Sequence, residues 1–238
     1  MEFTDTRVYN FEKALYGMRH PLESYHKSDS YYESLKDYIS HEKDDPIRRY
    51  IIGKNDMTLA QKLIKSGTEH RKFMRQIFVS VDITAPIYWW KEFDQYKIGT
   101  VDNSTSTMHK LSTTEITFDC FEIDDYSPDI EYMGLQDNGR YFNVNINSII
   151  GLLENLRLNY IKTKDKKYWK ELIRWLPESW LQTRTVTMNY ENLRSIYFQR
   201  KNHKLNEWSG EDDNTKGNFI RWIKSLPYAK ELIMYGGE

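Results

Sequence analysis

One cysteine in 238 residues, Cys120, is too few for an internal disulfide or a cysteine-based metal set. It alternates with strand-type residues in TEITFDCFE, which favours a packed thiol over a reactive one. The six histidines, His20, His26, His41, His70, His109 and His203, are scattered, with no His-Glu-x-x-His or comparable spacing, so no metal is expected. No stretch approaches the roughly 20 apolar residues of a membrane span. The amino end, MEFTDTRVYN, carries no basic region followed by an apolar run. Export and membrane insertion are therefore not expected, and a reducing, cytoplasmic setting is. Charge of neither sign dominates: 34 Lys and Arg stand against 35 Asp and Glu. That balance lacks the basic surplus on which phosphate-backbone binding depends, so nucleic acid is not an expected partner. No Pro-, Gly- or Ser-rich linker and no tandem repeat divides the chain, and one domain over residues 1–238 is expected. Missing too are Gly-x-Gly-x-x-Gly, a phosphate loop and Gly-x-Ser-x-Gly, so neither a dinucleotide fold nor a serine hydrolase is supported.

What is abundant is aromatic surface. Aromatic residues make up 15% of the chain, with 18 Tyr and 7 Trp, beside 29% charged residues, a composition that builds a core and stays globular. The first fifty residues, with the Tyr- and Ser-rich stretch Tyr25 to Tyr38, suggest turns and one or two short helices. Asp56 or Thr58 is placed to cap a helix whose apolar side is Leu59, Leu63 and Ile64 and whose end is Gly67. Ile77, Val79, Val81 and Ile83 alternate with Phe78, Ser80 and Asp82, the period of a strand over Gln76 to Ile83. Pro86 suits the first turn of the next helix. Tyr88, Trp89, Trp90, Phe93 and Tyr96 cover more than one face of that helix, which favours burial on several sides and a subunit contact. Trp89 and Trp90 fit a core or interface better than a base-stacking platform.

Further along, Thr114 to Glu122 alternates as a strand does, and Asp124 to Asn138 has the Asp, Pro and Gly content of a surface loop. Ser148 to Thr163 predicts the longest apolar helix, and Tyr168 to Leu176 a shorter one stopped by Pro177. Asn189 is placed to cap a helix with Leu193, Ile196, Tyr197 and Arg200 on one side and Arg194 on another. His203, three residues beyond Arg200, is expected to be structural.

The stretch FMRQIFVSVDITAPIYWWKEFDQYKIGTVDNSTSTMHKL, Phe73 to Leu111, resembles the core of the flavin-dependent thymidylate synthases. There a strand leads through Ala-Pro-Ile into a helix and then into a signature: Arg-His-Arg, two residues, Ser, one residue, Asn-Glu, one residue, Ser, one residue, Arg. Aligned through Ala85-Pro86-Ile87, Gln95-Tyr96-Lys97 lies on the Arg-His-Arg and Thr100 on the first Ser. Asp102-Asn103 then lies on the Asn-Glu, Thr105 on the second Ser and Thr107 on the last Arg. TMNYENLRSIYFQRKNHKLNEW, residues 187 to 208, is similar to the family's last conserved helix. Glu69, in GTEHRKF, matches a glutamate of the family's Gly-His-Glu-Thr-Pro-Phe segment, and Thr68 stands where the family has His.

The resemblance implies an α+β domain with a mostly antiparallel sheet and long helices, assembled as a homotetramer. It also implies reductive methylation of deoxyuridine monophosphate (dUMP) with FAD, NADPH and methylenetetrahydrofolate. By position, Gln95, Tyr96, Lys97 and Glu69 fall at the cofactor; Thr105 and Thr107, with Ser104 and Ser106, fall at the nucleotide; Arg200 falls at its base. No residue is assigned as catalytic, since the family's chemistry rests on flavin and positioning more than on a protein nucleophile.

Chemistry qualifies the implication. Bidentate arginine is the strongest phosphate donor, and the signature keeps only Lys97 as a cation. Gln95 offers an amide without charge, Tyr96 a ring that can stack, and Thr107 neither the reach nor the charge of arginine. The Ser104 to Thr107 hydroxyls suit neutral hydrogen bonding to a phosphate or sugar, or serve as a polar turn capping local amides. Arg200 is the best-matching surviving arginine. Three classes follow: a methylating enzyme, a protein that binds a nucleotide in the same pocket without catalysis, and a structural oligomer with no ligand.

Overall fold

The computed structural model describes residues 1–33, 49–123, 132–137, 140–210 and 217–237. The chain opens on β1 (Glu2–Tyr9), continues into α1 (Phe11–Gly17), and pairs two short strands, β2 (Tyr31–Tyr32) and β3 (Tyr50–Ile51). Next come α2 (Lys54–Lys65), β4 (Phe78–Pro86), α3 (Ile87–Phe93), β5 (Val101–Ser104) and α4 (Thr107–Lys110). A hairpin, β6 (Tyr132–Asp137) with β7 (Arg140–Val144), leads to α5 (Ile146–Thr163) and α6 (Lys166–Arg174). The chain ends with β8 (Leu181–Asn189), α7 (Tyr190–Arg200), α8 (Asn206–Ser209) and α9 (Phe219–Ser225).

The central sheet has the order β1-β4-β8-β5, and each neighbouring pair is antiparallel. Its two faces follow from the period of two. Val79, Val81, Ile83 and Ala85 of β4 and Val186 and Met188 of β8 are buried at 0–1% exposure. On the opposite face Ser80, Asp82 and Thr84 stand against Thr187, Thr185 and Thr183. Thr185 donates to Asp82 at 2.5 Å, and the Thr84 and Thr183 hydroxyls lie 2.8 Å apart. The α+β class and the antiparallel sheet are as the resemblance implied.

The helices close over the apolar face. Trp89 stacks on Phe93 with centroids 5.0 Å apart and meets Trp208 at 4.8 Å and Phe219 at 5.5 Å. Trp89, Trp90 and Phe93 are thus buried by their own chain, so these rings need no second subunit to cover them. A second apolar cluster gathers Leu111, Ile116, Phe121, Leu153 and Leu172, with Ile149, Ile150, Leu156 and Trp180 packed against it.

Several expectations are corrected. Where turns are expected at the start of the chain, β1 is an edge strand, mostly exposed, with a register shift between Thr4 and Arg7, so few apolar residues mark it. β8 carries alternating threonines on its polar face, a pattern without the apolar period that marks β4. Asp56 does not cap α2, which begins at Lys54; its side chain is fully buried and paired with Arg19, whose Nε and Nη2 both approach at 2.6 Å. Gly67 does follow the end of that helix, at φ +105°. The helix after Pro86 stops at Phe93, short of the Tyr96 expected on it. Thr114 to Glu122 is not a strand but contains a 3-10 turn, Phe118–Cys120. Strand alternation would put Phe118 beside Ile116, yet Phe118 is exposed, Ile116 is buried, and the Ile116 amide goes to Glu154 rather than to a neighbouring strand. Of the expected loop Asp124 to Asn138, residues 132–137 form β6 and the others lie outside the described residues, as do His41 and residues 34–38 of the Tyr-rich stretch.

Candidate functional site

The segment between α3 and β5 carries the first group of candidates, and α7 fixes its path. Asn189 and Asn192 form a reciprocal capping box at the start of α7, as the expected Asn189 cap requires. Asn192 Nδ2 also donates to the Ile98 carbonyl at 2.6 Å. Gly99, at φ +75°, follows immediately, and a Cβ there would stand 2.8 Å from Asn192 Oδ1, so the loop can close on the helix only through glycine. This places Gln95 and Lys97 at the surface and Tyr96 half-buried. Tyr96 accepts from Arg200 Nε at 2.8 Å and donates to Gln199 at 3.2 Å.

Arg200 ends α7 in a dense polar cluster. Its Nη1 meets Glu92 Oε2 at 2.8 Å, and its guanidinium lies 4.8 Å from the Trp208 ring. The same carboxylate oxygen accepts from Trp208 Nε1 at 3.0 Å and lies 3.5 Å from His203 Nε2. His203 Nδ1 accepts the Leu205 amide, the structural role expected of it. Arg200 therefore spends Nε and Nη1 on its own chain, and among the described residues its Nη2 makes no hydrogen bond. Arg194 is buried instead, donating to the carbonyls of Ile233 and Tyr235 at 2.8 and 2.6 Å, and burial lowers its pKa.

The Ser104 to Thr107 run lies along β8, in a second cluster. Ser104 pairs in register with Arg184, and the Thr105 amide donates to the Thr183 carbonyl. Ser104 and Thr105 are exposed, Ser106 and Thr107 half-buried, and Thr107 begins α4. Arg184 is the residue that sequence reasoning missed. Its Nη1 contacts Asp94 at 2.7 Å and Asp102 at 3.1 Å, its Nε donates to Gln182 at 3.0 Å, and its plane lies 4.2 Å from the Trp90 ring. Recognising β8 as a strand pairing with the signature segment was the signal that could have found it.

Glu69, the remaining candidate, is exposed and pairs with Lys72 at 3.5 Å. Two residues on, Arg71 clamps Glu191 in the first turn of α7, with Nε 2.9 and 2.8 Å from its two oxygens. The candidates thus fall into three groups around α7 and β8: Glu69 beside the Arg71 clamp, Tyr96 with Arg200, and the hydroxyl run with Arg184.

The fold has solved counterparts. Thymidylate synthase X from Helicobacter pylori with FAD and dUMP overlaps 99% of this chain and 98% of its own at a TM-score of 0.61 and 16% identity. A further structure of the H. pylori enzyme complexed with FAD and dUMP gives 0.60 at 16% identity over the same shares. A UMP/dUMP methylase, PolB, from Streptomyces cacaoi, bound with 5-Br dUMP, overlaps 99% of this chain and 96% of its own at 0.51 and 14% identity. No family model matches the sequence, and no curated protein matches it. The chain therefore has the fold of the flavin-dependent thymidylate synthases, as the Ala85-Pro86-Ile87 junction implied.

The residues present do not fit the diphosphate of FAD. A diphosphate needs several cationic donors, and here Gln95, Tyr96 and Thr107 bring none to the signature, while Arg71 and Arg200 each close on a carboxylate of the same chain. Lys97 is exposed and forms no ion pair among the described residues, leaving one cation where the signature has several.

Proposed function

We propose that this chain binds a pyrimidine nucleotide on the thymidylate synthase X fold without carrying out flavin-dependent methylation. The observation that supports this most is the neutral side chains of the signature, Gln95, Tyr96 and Thr107, with Lys97 as its cation, beside an Arg200 that closes on Glu92. A diphosphate needs several charge-assisted donors at once and the signature keeps only Lys97, whereas one monophosphate can be served by the Ser104 to Thr107 hydroxyls as neutral donors. Arg200 Nη2 is then the donor for a pyrimidine carbonyl, and the half-buried Tyr96 supplies a flat ring beside it. The same reading takes residues 1–238 as one domain that works in the cytoplasm as a homotetramer. Support for assembly is the polar sheet face of Ser80, Asp82, Thr84, Thr183, Thr185 and Thr187, of which Thr185 and Thr187 are exposed and the others half-buried.

The second reading is methylation of dUMP with FAD, NADPH and methylenetetrahydrofolate. It draws on overlap along nearly the whole length of an enzyme crystallised with FAD and dUMP, and it requires more cations than the signature here keeps. Titration with FAD followed by its visible spectrum, together with calorimetry on dUMP, separates the two. The proposal expects heat from dUMP, no retained flavin and no tritium release from labelled dUMP. Retained flavin with tritium release would replace it by the second reading.

A further inference from the structure

Resting on the nucleotide-binding reading, we infer that Arg184 is the phosphate-recognising cation of this site and that Asp94 is a built-in competitor which the ligand's phosphate displaces. Register sets Arg184 directly opposite Ser104, and the alternation of the sheet puts Asp102, Ser104 and Arg184 on one face. The guanidinium is thus the cation next to the hydroxyl run, supplied by β8 in place of the arginine that Thr107 has replaced.

The geometry holds this side chain ready. Stacking on Trp90 at 4.2 Å and the Nε bond to Gln182 fix its plane, and only 14% of the side chain is exposed. Nη1 serves both carboxylates, while Nη2 makes no hydrogen bond among the described residues. Two like charges converging on one nitrogen repel each other, so departure of either relieves repulsion and leaves the guanidinium still paired. Asp94 is the one free to go: it is 48% exposed and lies just past the end of α3, whereas Asp102 is 33% exposed and held within β5. A phosphate taking the place of Asp94 gains a planar, immobilised donor pair on Arg184. An unphosphorylated nucleoside gains nothing there, so Asp94 and Arg184 together set the preference between the two.

The test compares the parent with Asp94→Asn and Arg184→Gln, each confirmed as folded by circular dichroism. Calorimetry is run with dUMP and with deoxyuridine. Asp94→Asn is expected to bind dUMP about tenfold more tightly, and Arg184→Gln at least about tenfold more weakly, as one charge-assisted hydrogen bond warrants. Deoxyuridine affinity stays unchanged in both variants. Equal changes for dUMP and deoxyuridine, or none for dUMP, overturn the inference. Should neither pyrimidine bind the parent, the nucleotide-binding reading falls, and a titration with inorganic phosphate still decides this one. The Arg184 Nε proton resonance, assigned by its loss in Arg184→Gln, is expected to shift at lower phosphate in Asp94→Asn than in the parent. Equal responses in the two proteins, or no response, overturn it.

Discussion

Replacing Arg200 by alanine separates a ligand contact from a structural pin, because the structure sets different sizes for the two effects. Nε and Nη1 are already committed to Tyr96 and Glu92, so a bound pyrimidine reaches the Nη2 edge alone. One charge-assisted hydrogen bond is worth about 1.5–3 kcal/mol, or roughly 10- to 150-fold in affinity. The folding effect is smaller. The Arg200 and Glu92 side chains are 17% and 30% exposed, so the pair lies between a surface bridge and a buried one. After the change Glu92 keeps Trp208 Nε1 and gains water. A loss of about 1–2 kcal/mol follows, which lowers the melting temperature by a few degrees in a chain of this size. Lys201→Ala removes the same charge from the next, exposed position and controls for net charge. Arg194→Ala is no such control, since Arg194 is buried against the last turns of the chain. Calorimetry with dUMP at a temperature well below both melting points reads the result. Equal affinity for parent and Arg200→Ala refutes the placement of Arg200 in the site, whatever the variant's stability.

The remaining expectations concern the scaffold. Burial pushes the Asp56 carboxyl up, but hydrogen bonds from Ser28, Ser30 and Arg19 outweigh it and hold the group below the ordinary carboxylate range. Its stabilisation is therefore complete above about pH 4 and is lost as pH falls through the lower native value, so Asp56→Ala should unfold earlier in urea at pH 7 by about 3–5 kcal/mol, with the gap to the parent closing in acid; a gap independent of pH would contradict this. Gly99→Ala should loosen the loop on α7 and lower stability by about 1–3 kcal/mol, both from its positive φ and from the 2.8 Å approach to Asn192; an unchanged denaturation midpoint would rule that out. Light scattering should find an assembly larger than 28.7 kDa at micromolar concentration, and a particle of that mass would remove the homotetramer from the proposed function.

How much was legible differs between the elements. β4 announced itself because one face is buried and the other polar, so the pattern of Ile77 to Ile83 has the period of its surroundings. The Asn189 cap and the Gly67 stop were equally readable, since both rest on local backbone chemistry. The Ala85-Pro86-Ile87 junction gave the fold by resemblance, although the charged residues around it had changed. β1 was hidden because an exposed edge strand needs few apolar residues, and the Thr114 to Glu122 pattern misled because packing buries Ile116, while Phe121 meets Trp180 in an isolated bridge rather than a ladder. The sequence alone could show that the signature had lost its arginines and that Arg200 ended an apolar stripe. Only the tertiary structure decided where the charge went. Arg184 is eighty-odd positions from Asp102 along the chain (the hydrogen bond joins residues 82 apart) and meets it through strand register. Glu92 reaches Arg200 because the end of α7 passes α3. Ion pairs between distant segments are set by the packing of whole elements, and no local pattern of residue types encodes them.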